Sequence, residues 1–73
     1  MTDMAKRKLK RKAVRIPKPA EILRERKRLG LTQEKAAEKI GVSRRSWVAY
    51  EQGDPIPAPV AILMSLLFDG TIK

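Results

Sequence analysis

Residues 30–53 read GLTQEKAAEKIGVSRRSWVAYEQG, and this stretch decides the fold. Thr32 is a candidate N-cap for one helix and Ser43 for the next, because a hydroxyl there can accept a hydrogen bond from an unpaired N–H group of the first turn. Gly41 lies where the first of these helices is expected to end. Only residues 41–43 separate the two helices, so the sequence predicts two short helices joined by a tight turn.

Helical patterns also flank this stretch. Pro17 and Pro19 mark the start of a helix over residues 19–29, because proline is tolerated in the first turn of a helix but not within it. After a proline-rich segment, residues 59–68 form a nearly continuous apolar run that predicts the last helix. The expected fold is therefore all-α and compact, with four helices or, alternatively, five.

The charge is unevenly distributed along the 73 residues, which carry a net charge of +9. Residues 1–18 hold eight of the 17 basic residues and one acid, whereas the rest of the chain has nine basic residues and seven acids. A block of like charge is commonly a solvated tail that binds a polyanion. We therefore expect a basic, flexible arm over residues 1–18 and a folded domain over residues 19–73. A short strand over residues 9–16 is the alternative within the arm.

The chain contains neither cysteine nor histidine. It therefore lacks the commonest general base, thiolate metal ligands and disulfides. We expect no enzymatic activity, cofactor, metal or small-molecule ligand. No apolar run reaches the roughly 18 to 20 residues that cross a bilayer, and the N-terminus lacks the apolar stretch of a signal peptide. The simplest expectation is a cytoplasmic protein that does not contact a membrane.

A family resemblance is carried by Gly30, Leu31, Thr32, Gln33, Ala37, Ile40, Gly41, Val42, Ser43, Glu51, Gly53 and Pro57. With these residues, the chain over positions 22–67 resembles the lambda Cro and phage-repressor type of helix-turn-helix domain. It is similar in particular to the short regulators of phages and mobile elements, including anti-CRISPR-associated repressors. The resemblance implies a nucleoid-associated transcriptional regulator, most simply a repressor, that binds double-stranded operator DNA in a prokaryotic or phage-infected cell.

In this family the helix that follows Ser43 enters the major groove. The resemblance therefore implies base reading by Arg44 and Arg45, and by Val48 and Ala49 further along the same helix. The arginine fork matches the O6 and N7 acceptors of guanine, whereas the two small side chains can contact only the methyl group of thymine. The alternatives are that both arginines bind phosphate and that the small residues merely permit close approach.

The resemblance also implies a set of phosphate contacts. Gln33 lies at the start of the preceding helix, where unpaired N–H groups favour an anion. A surface glutamine without a ligand is the alternative. The basic arm would add phosphate contacts or enter a minor groove, or it would stay solvated or bind structured RNA. The expected phosphate contacts are Gln33, Thr32, Ser43, Ser46, Lys10, Arg11, Lys12 and Arg15.

Further residues are assigned to the interior of the domain. Related domains place an arginine of the first helix against a glutamate at the end of the third, so the resemblance implies an ion pair between Arg26 and Glu51. Trp47 could stack on nucleic-acid bases. Its position, however, corresponds to an inward aliphatic residue of the family, and Ala36 of the preceding helix is small enough to accommodate it. We therefore expect Trp47 at the centre of the core.

The last helix is apolar nearly all round, and such a helix has more apolar surface than one small core covers. We expect its outer side to form a two-fold homodimer, which would bind a near-palindromic operator. Alternatively, the domain is an antitoxin-like module whose last helix contacts a different protein. The expected dimer-interface residues are Val60, Met64, Leu67 and Phe68.

Overall fold

A computed structural model describes residues 15–73 of the chain. These residues form four α-helices joined by short loops, and no strand occurs among them. The all-α prediction is therefore confirmed, with four helices. Most of the possible strand over residues 9–16, and the basic residues Lys10, Arg11 and Lys12, lie outside the described range. The helices are α1 (Pro19–Arg28), α2 (Gln33–Ile40), α3 (Arg44–Glu51) and α4 (Ala58–Phe68).

Side-chain caps fix where the two central helices begin. The Thr32 hydroxyl accepts a hydrogen bond from the backbone N–H of Lys35 at 3.0 Å, and the Ser43 hydroxyl accepts one from the backbone N–H of Ser46 at 3.1 Å. Both predicted N-caps are thus confirmed, and each satisfies a donor that the first helical turn leaves unpaired. As a result, Gln33 is the first residue of α2 and Arg44 is the first residue of α3.

The turn between α2 and α3 depends on Gly41. Its backbone has φ 78° and ψ 26°, a left-handed conformation that costs a glycine little and other residues more. The next N–H group, from Val42, returns to the carbonyl of Ala37 at 3.0 Å and closes the helix end. The chain therefore reverses within three residues, and α3 packs directly against α2.

Trp47 is the largest side chain that is fully buried in the core. It lies in one apolar cluster with Ile22 from α1, Ala36 from α2 and Met64 from α4. The ring of Phe68 meets the indole edge-on, with ring centroids 6.5 Å apart and an interplanar angle of 88°, an arrangement that aromatic pairs favour. The prediction that Trp47 belongs to the core rather than to a stacking surface is confirmed.

The structure corrects the expected dimer surface on α4. Met64 is 0% exposed and Leu67 is 2% exposed, because both lie in the core of the single chain. They are therefore not available to a second copy of the protein. Val60 and Phe68 are half-buried and also pack against the core. Leu63 is likewise half-buried against the core. The outward side of α4 instead carries Pro59, Ile62 and Leu66, of which Ile62 is 44% exposed.

The residues that precede α1 pack on the domain. Pro17 is buried, so packing extends to at least two residues before Pro19, the first residue of α1. Arg15 donates two hydrogen bonds of 2.9 Å to the carboxylate of Glu21 in the first turn of α1.

Among residues 15–73, no helix is both long enough and apolar enough to span a membrane.

Candidate nucleic-acid interface

Arg44 and Arg45 are exposed at the start of α3. Neither guanidinium group makes a hydrogen bond or an ion pair with another residue in the described part of the chain. Two cations at a helix N-terminus oppose the helix dipole, at a cost of about 0.3 to 1 kcal/mol each. The first turn of α3 contains no acid that would offset this cost. The pair is therefore placed to meet an external anion or acceptor.

One shallow depression brings the expected DNA contacts together. Arg44, Arg45, Val48 and Ala49 from α3 line it, and so does Gln33 from the first turn of α2. Val48, Ala49 and Gln33 are half-buried, so the depression is lined by both apolar and polar side chains. The four expected base-reading residues and the first expected phosphate contact thus share one surface.

Gln52 also lines this depression, and the sequence analysis did not single it out. It follows Arg45 by seven residues and Val48 by four, the spacing that places side chains on one helix face. This spacing could have identified it. Gln52 is the C-cap of α3, one residue beyond the last helical residue.

The other expected phosphate contacts that lie within residues 15–73 have structural roles in the free protein. The Thr32 and Ser43 hydroxyl groups accept the capping hydrogen bonds described above. The Ser43 hydroxyl also donates to the hydroxyl of Ser46 at 3.0 Å. Arg15 pairs with Glu21, although its side chain remains 71% exposed. The hydrogen bond from Arg15 lowers the pKa of Glu21, so the pair is charged at neutral pH.

Directly behind the depression lies an ion pair. The Nε atom of Arg26 donates to Glu51 Oε2 at 2.6 Å, and Nη2 donates to Oε1 at 3.4 Å. The third nitrogen of the guanidinium, Nη1, donates to the backbone carbonyl of Leu31 at 2.9 Å. The side chains are only 13% and 8% exposed, respectively. The structure thus places Arg26 and Glu51 in contact, as the resemblance implies, and ties α1 to the end of α3.

Two further donors share the Glu51 carboxylate. The indole Nε1 of Trp47 donates to Oε2 at 2.6 Å, and the amide Nε2 of Gln33 donates to Oε1 at 3.0 Å. The sequence analysis missed both hydrogen bonds. The Trp47 bond had a signal, since a buried indole N–H group usually has an acceptor and Glu51 lies four residues later on the same helix. No comparable signal links Gln33 to Glu51, which are 18 residues apart.

Opposing effects act on the pKa of Glu51. Burial of the carboxylate by itself would raise the pKa, but hydrogen bonds from Arg26, Trp47 and Gln33 outweigh burial, and the pKa lies below its ordinary value. Glu51 is therefore ionised at neutral pH, and its two oxygens act only as acceptors.

The lowered pKa of Glu51 predicts that the protein loses stability in acid. The unfolded pKa of a glutamate is about 4.3, and the folded pKa of Glu51 is lower. Its contribution to stability is therefore fully present above the unfolded value and is lost as the pH falls through the folded value. We expect the free energy of unfolding, measured by urea denaturation over a pH series, to decrease below about pH 5.

The control for this prediction is Glu51→Gln, which removes the titrating group. Its stability should depend less on pH, while Glu21 and Asp69, whose pKa values are also lowered, retain their own contributions. The same pH dependence in both proteins would contradict the assignment to Glu51.

Comparison with known protein families agrees with this geometry. A family model described as a helix-turn-helix domain matches residues 20–66. No curated protein and no solved structure shows a significant match. The chain therefore belongs to the helix-turn-helix domain family, of the Cro and phage-repressor type that the sequence resembles. Membership of this family makes the chain a DNA-binding regulator, and such domains are typically not enzymes.

Proposed function

We propose that the chain is a sequence-specific regulator of transcription that binds double-stranded operator DNA, most simply as a repressor that occupies the operator. The observation that carries this proposal is the single surface formed by Arg44, Arg45, Val48, Ala49 and Gln33. The two guanidinium groups are exposed and have no partner among residues 15–73. Side chains of this kind at the start of the second helix of the motif are placed to enter the major groove.

Each residue of the surface has a chemical counterpart on DNA. Arg44 and Arg45 offer bidentate hydrogen bonds to guanine, and Val48 and Ala49 offer apolar contact to thymine methyl groups. Gln52 extends the surface by one turn, and a glutamine there can bond either adenine or a phosphate. The expected phosphate contacts are Gln33, Thr32, Ser43 and Ser46, with Lys10, Arg11, Lys12 and Arg15 added from the basic arm. Arg15, whose side chain is 71% exposed, would exchange its partner Glu21 for phosphate.

Selection of bound sequences from random DNA tests this proposal. The wild-type protein should enrich a near-palindrome that contains guanine. Either Arg44→Ala or Arg45→Ala should lose the preference for one guanine, with a loss in affinity of about 1 to 3 kcal/mol at that position.

The matched control is Arg24→Ala, which removes one exposed positive charge from α1 and does not line the depression. It should retain the wild-type motif. Failure of the wild-type protein to enrich any motif would refute sequence-specific binding and leave nonspecific binding or RNA binding by the arm.

The protein also has a surface suited to a homodimer. Since Met64 and Leu67 are in the core, the proposed interface is the outward side of α4, where Pro59, Ile62 and Leu66 follow helical spacing. Val60 and Phe68 would contribute their exposed parts. A two-fold dimer would place two copies of α3 on half-sites about 34 to 36 Å apart, which is the basis for a near-palindromic operator.

Replacing Ile62 with lysine should weaken this dimer. Ile62 is 44% exposed, so the change adds a charge to the proposed interface without disturbing the core. We expect sedimentation equilibrium to show a shift from dimer to monomer. Leu23→Lys, at a residue of α1 that is 38% exposed, is the control and should stay dimeric. A wild-type protein that is monomeric at all concentrations would contradict the proposal and leave α4 available to a different protein, as in an antitoxin.

A further inference from the structure

We infer that Glu51 is a positioning residue for the DNA interface, which it serves by fixing the orientation of the Gln33 carboxamide. Glu51 itself does not line the DNA-facing depression, whereas Gln33 does. This inference rests on the proposed function, because it assigns a role in phosphate binding at the same surface.

The hydrogen bond between the two side chains determines which end of the amide faces inward. Gln33 Nε2 lies 3.0 Å from Glu51 Oε1, and an ionised carboxylate can only accept. The nitrogen end of the carboxamide must therefore face Glu51. An amide nitrogen carries two N–H groups, so the second N–H group and the carbonyl oxygen of Gln33 remain for the depression that Arg44 and Arg45 line.

The acceptor itself is held by two other residues. Arg26 of α1 binds both oxygens of Glu51, and Trp47 of α3 binds Oε2 from within the core. The carboxylate is only 8% exposed and lies on the last residue of α3. The hydrogen bond from Gln33 connects this carboxylate to the first residue of α2. A flexible glutamine side chain is thereby ordered before DNA arrives, which reduces the entropic cost of using it in binding.

Burial of Glu51 does not require the bond from Gln33. Without Gln33, the carboxylate still receives two hydrogen bonds from Arg26 and one from Trp47. The residues needed to neutralise a buried charge are thus already present. The hydrogen bond to Glu51 instead orients the side chain of Gln33, which reaches the surface. For this reason we assign Glu51 a role in positioning Gln33 as well as in folding.

The wild-type protein allows a direct test by NMR. The chain contains two glutamines and no asparagine, so its spectrum has only two pairs of side-chain amide protons, which Gln33→Met assigns. In the free protein, one Gln33 proton should be shifted by its bond to the carboxylate and should exchange slowly with water. Gln52 is exposed, and its side chain makes no hydrogen bond within residues 15–73, so its pair is the internal control.

The same spectrum then follows binding of the tightest duplex recovered from random DNA. When the duplex is added, the chemical shift of the second Gln33 amide proton should change. The chemical shift of the amide proton that is hydrogen-bonded to Glu51 should stay the same. A free-state Gln33 pair that resembles that of Gln52 would overturn the inference. A large change in the chemical shift of the hydrogen-bonded proton on DNA binding would also overturn the inference, because Gln33 would then have left Glu51 to reach phosphate.

A double-mutant cycle on DNA affinity separates positioning from general stability. We expect Gln33→Met to raise the Kd for this duplex about tenfold, the effect of losing one hydrogen bond to a charged group. Glu51→Gln should raise it about fivefold in the wild-type background but less than about twofold in the Gln33→Met background, because it acts through Gln33. Equal effects in both backgrounds would overturn the positioning role.

Ile22→Val is the stability control for this cycle. Ile22 is fully buried and makes no contact with DNA in the proposed complex, so the change should lower stability and leave the Kd unaltered. If Glu51→Gln does not fold, the NMR measurement on the wild-type protein decides the question. If no duplex binds at all, the proposed function fails. If a duplex binds but the effects of the two substitutions are additive, only the positioning role of Glu51 is refuted.

Discussion

Replacing Glu51 with alanine is expected to lower the free energy of unfolding by about 3 to 5 kcal/mol, because it leaves the charge of Arg26 buried without its partner. The change also removes the acceptor for the Trp47 indole and the Gln33 amide. A folded chain of 73 residues has a total stability of about 4 to 11 kcal/mol. Urea denaturation followed by circular dichroism should therefore show unfolding at a much lower urea concentration than in the wild-type protein.

Two variants make this result specific. Glu38→Ala removes an exposed carboxylate of α2 that has no hydrogen-bond partner within residues 15–73, and it should be nearly neutral. Arg26→Met combined with Glu51→Leu replaces the ion pair with apolar side chains and should recover part of the lost stability, although the Trp47 indole still lacks an acceptor. A loss below about 1 kcal/mol for Glu51→Ala would place the pair among weak surface interactions and contradict its assigned role.

Replacing Trp47 with alanine should be about as damaging, although for a different reason. Trp47 is fully buried between residues of all four helices, and truncating a buried tryptophan costs about 3 to 5 kcal/mol through lost transfer energy and the cavity left behind. The edge-on contact with Phe68 is lost as well. Since Trp47 is the single tryptophan, unfolding must be followed by circular dichroism rather than by fluorescence.

Trp47→Phe separates packing from hydrogen bonding. Phenylalanine keeps an aromatic ring in the core but lacks the N–H group that binds Glu51. We expect it to cost less than half as much as Trp47→Ala. Similar losses for the two variants would show that the hydrogen bond, rather than the volume of the ring, dominates at this position.

The turn and the helix starts could be predicted from sequence because their causes are local. A hydroxyl at Thr32 or Ser43 caps the N–H group three residues later, and the left-handed backbone at Gly41 is one that glycine adopts readily. The placement of Trp47 in the core also followed from its position and from the small size of Ala36. In each case the residues that decide the outcome lie within one motif.

The facing of α4 and the partners of Glu51 could not be predicted in the same way. Nearly every residue of α4 is apolar, so the sequence has no polar face to mark its outer side, and Met64 and Leu67 were placed on the wrong side. The bond between Gln33 and Glu51 joins residues 18 positions apart. This bond depends on how α2 and α3 pack, and a local sequence pattern does not indicate that packing.

The eight residues of α3 include positions that hold the fold together and positions that are exposed to solvent. Trp47 and Glu51 hold the helix in the fold, whereas Arg44 and Arg45 are exposed and have no partner among the described residues. Substitutions at exposed positions without partners usually change stability by less than about 0.5 kcal/mol. Natural variation or a designed library can therefore change the tip of this helix while keeping the scaffold, so new sequence preferences can evolve without rebuilding the domain.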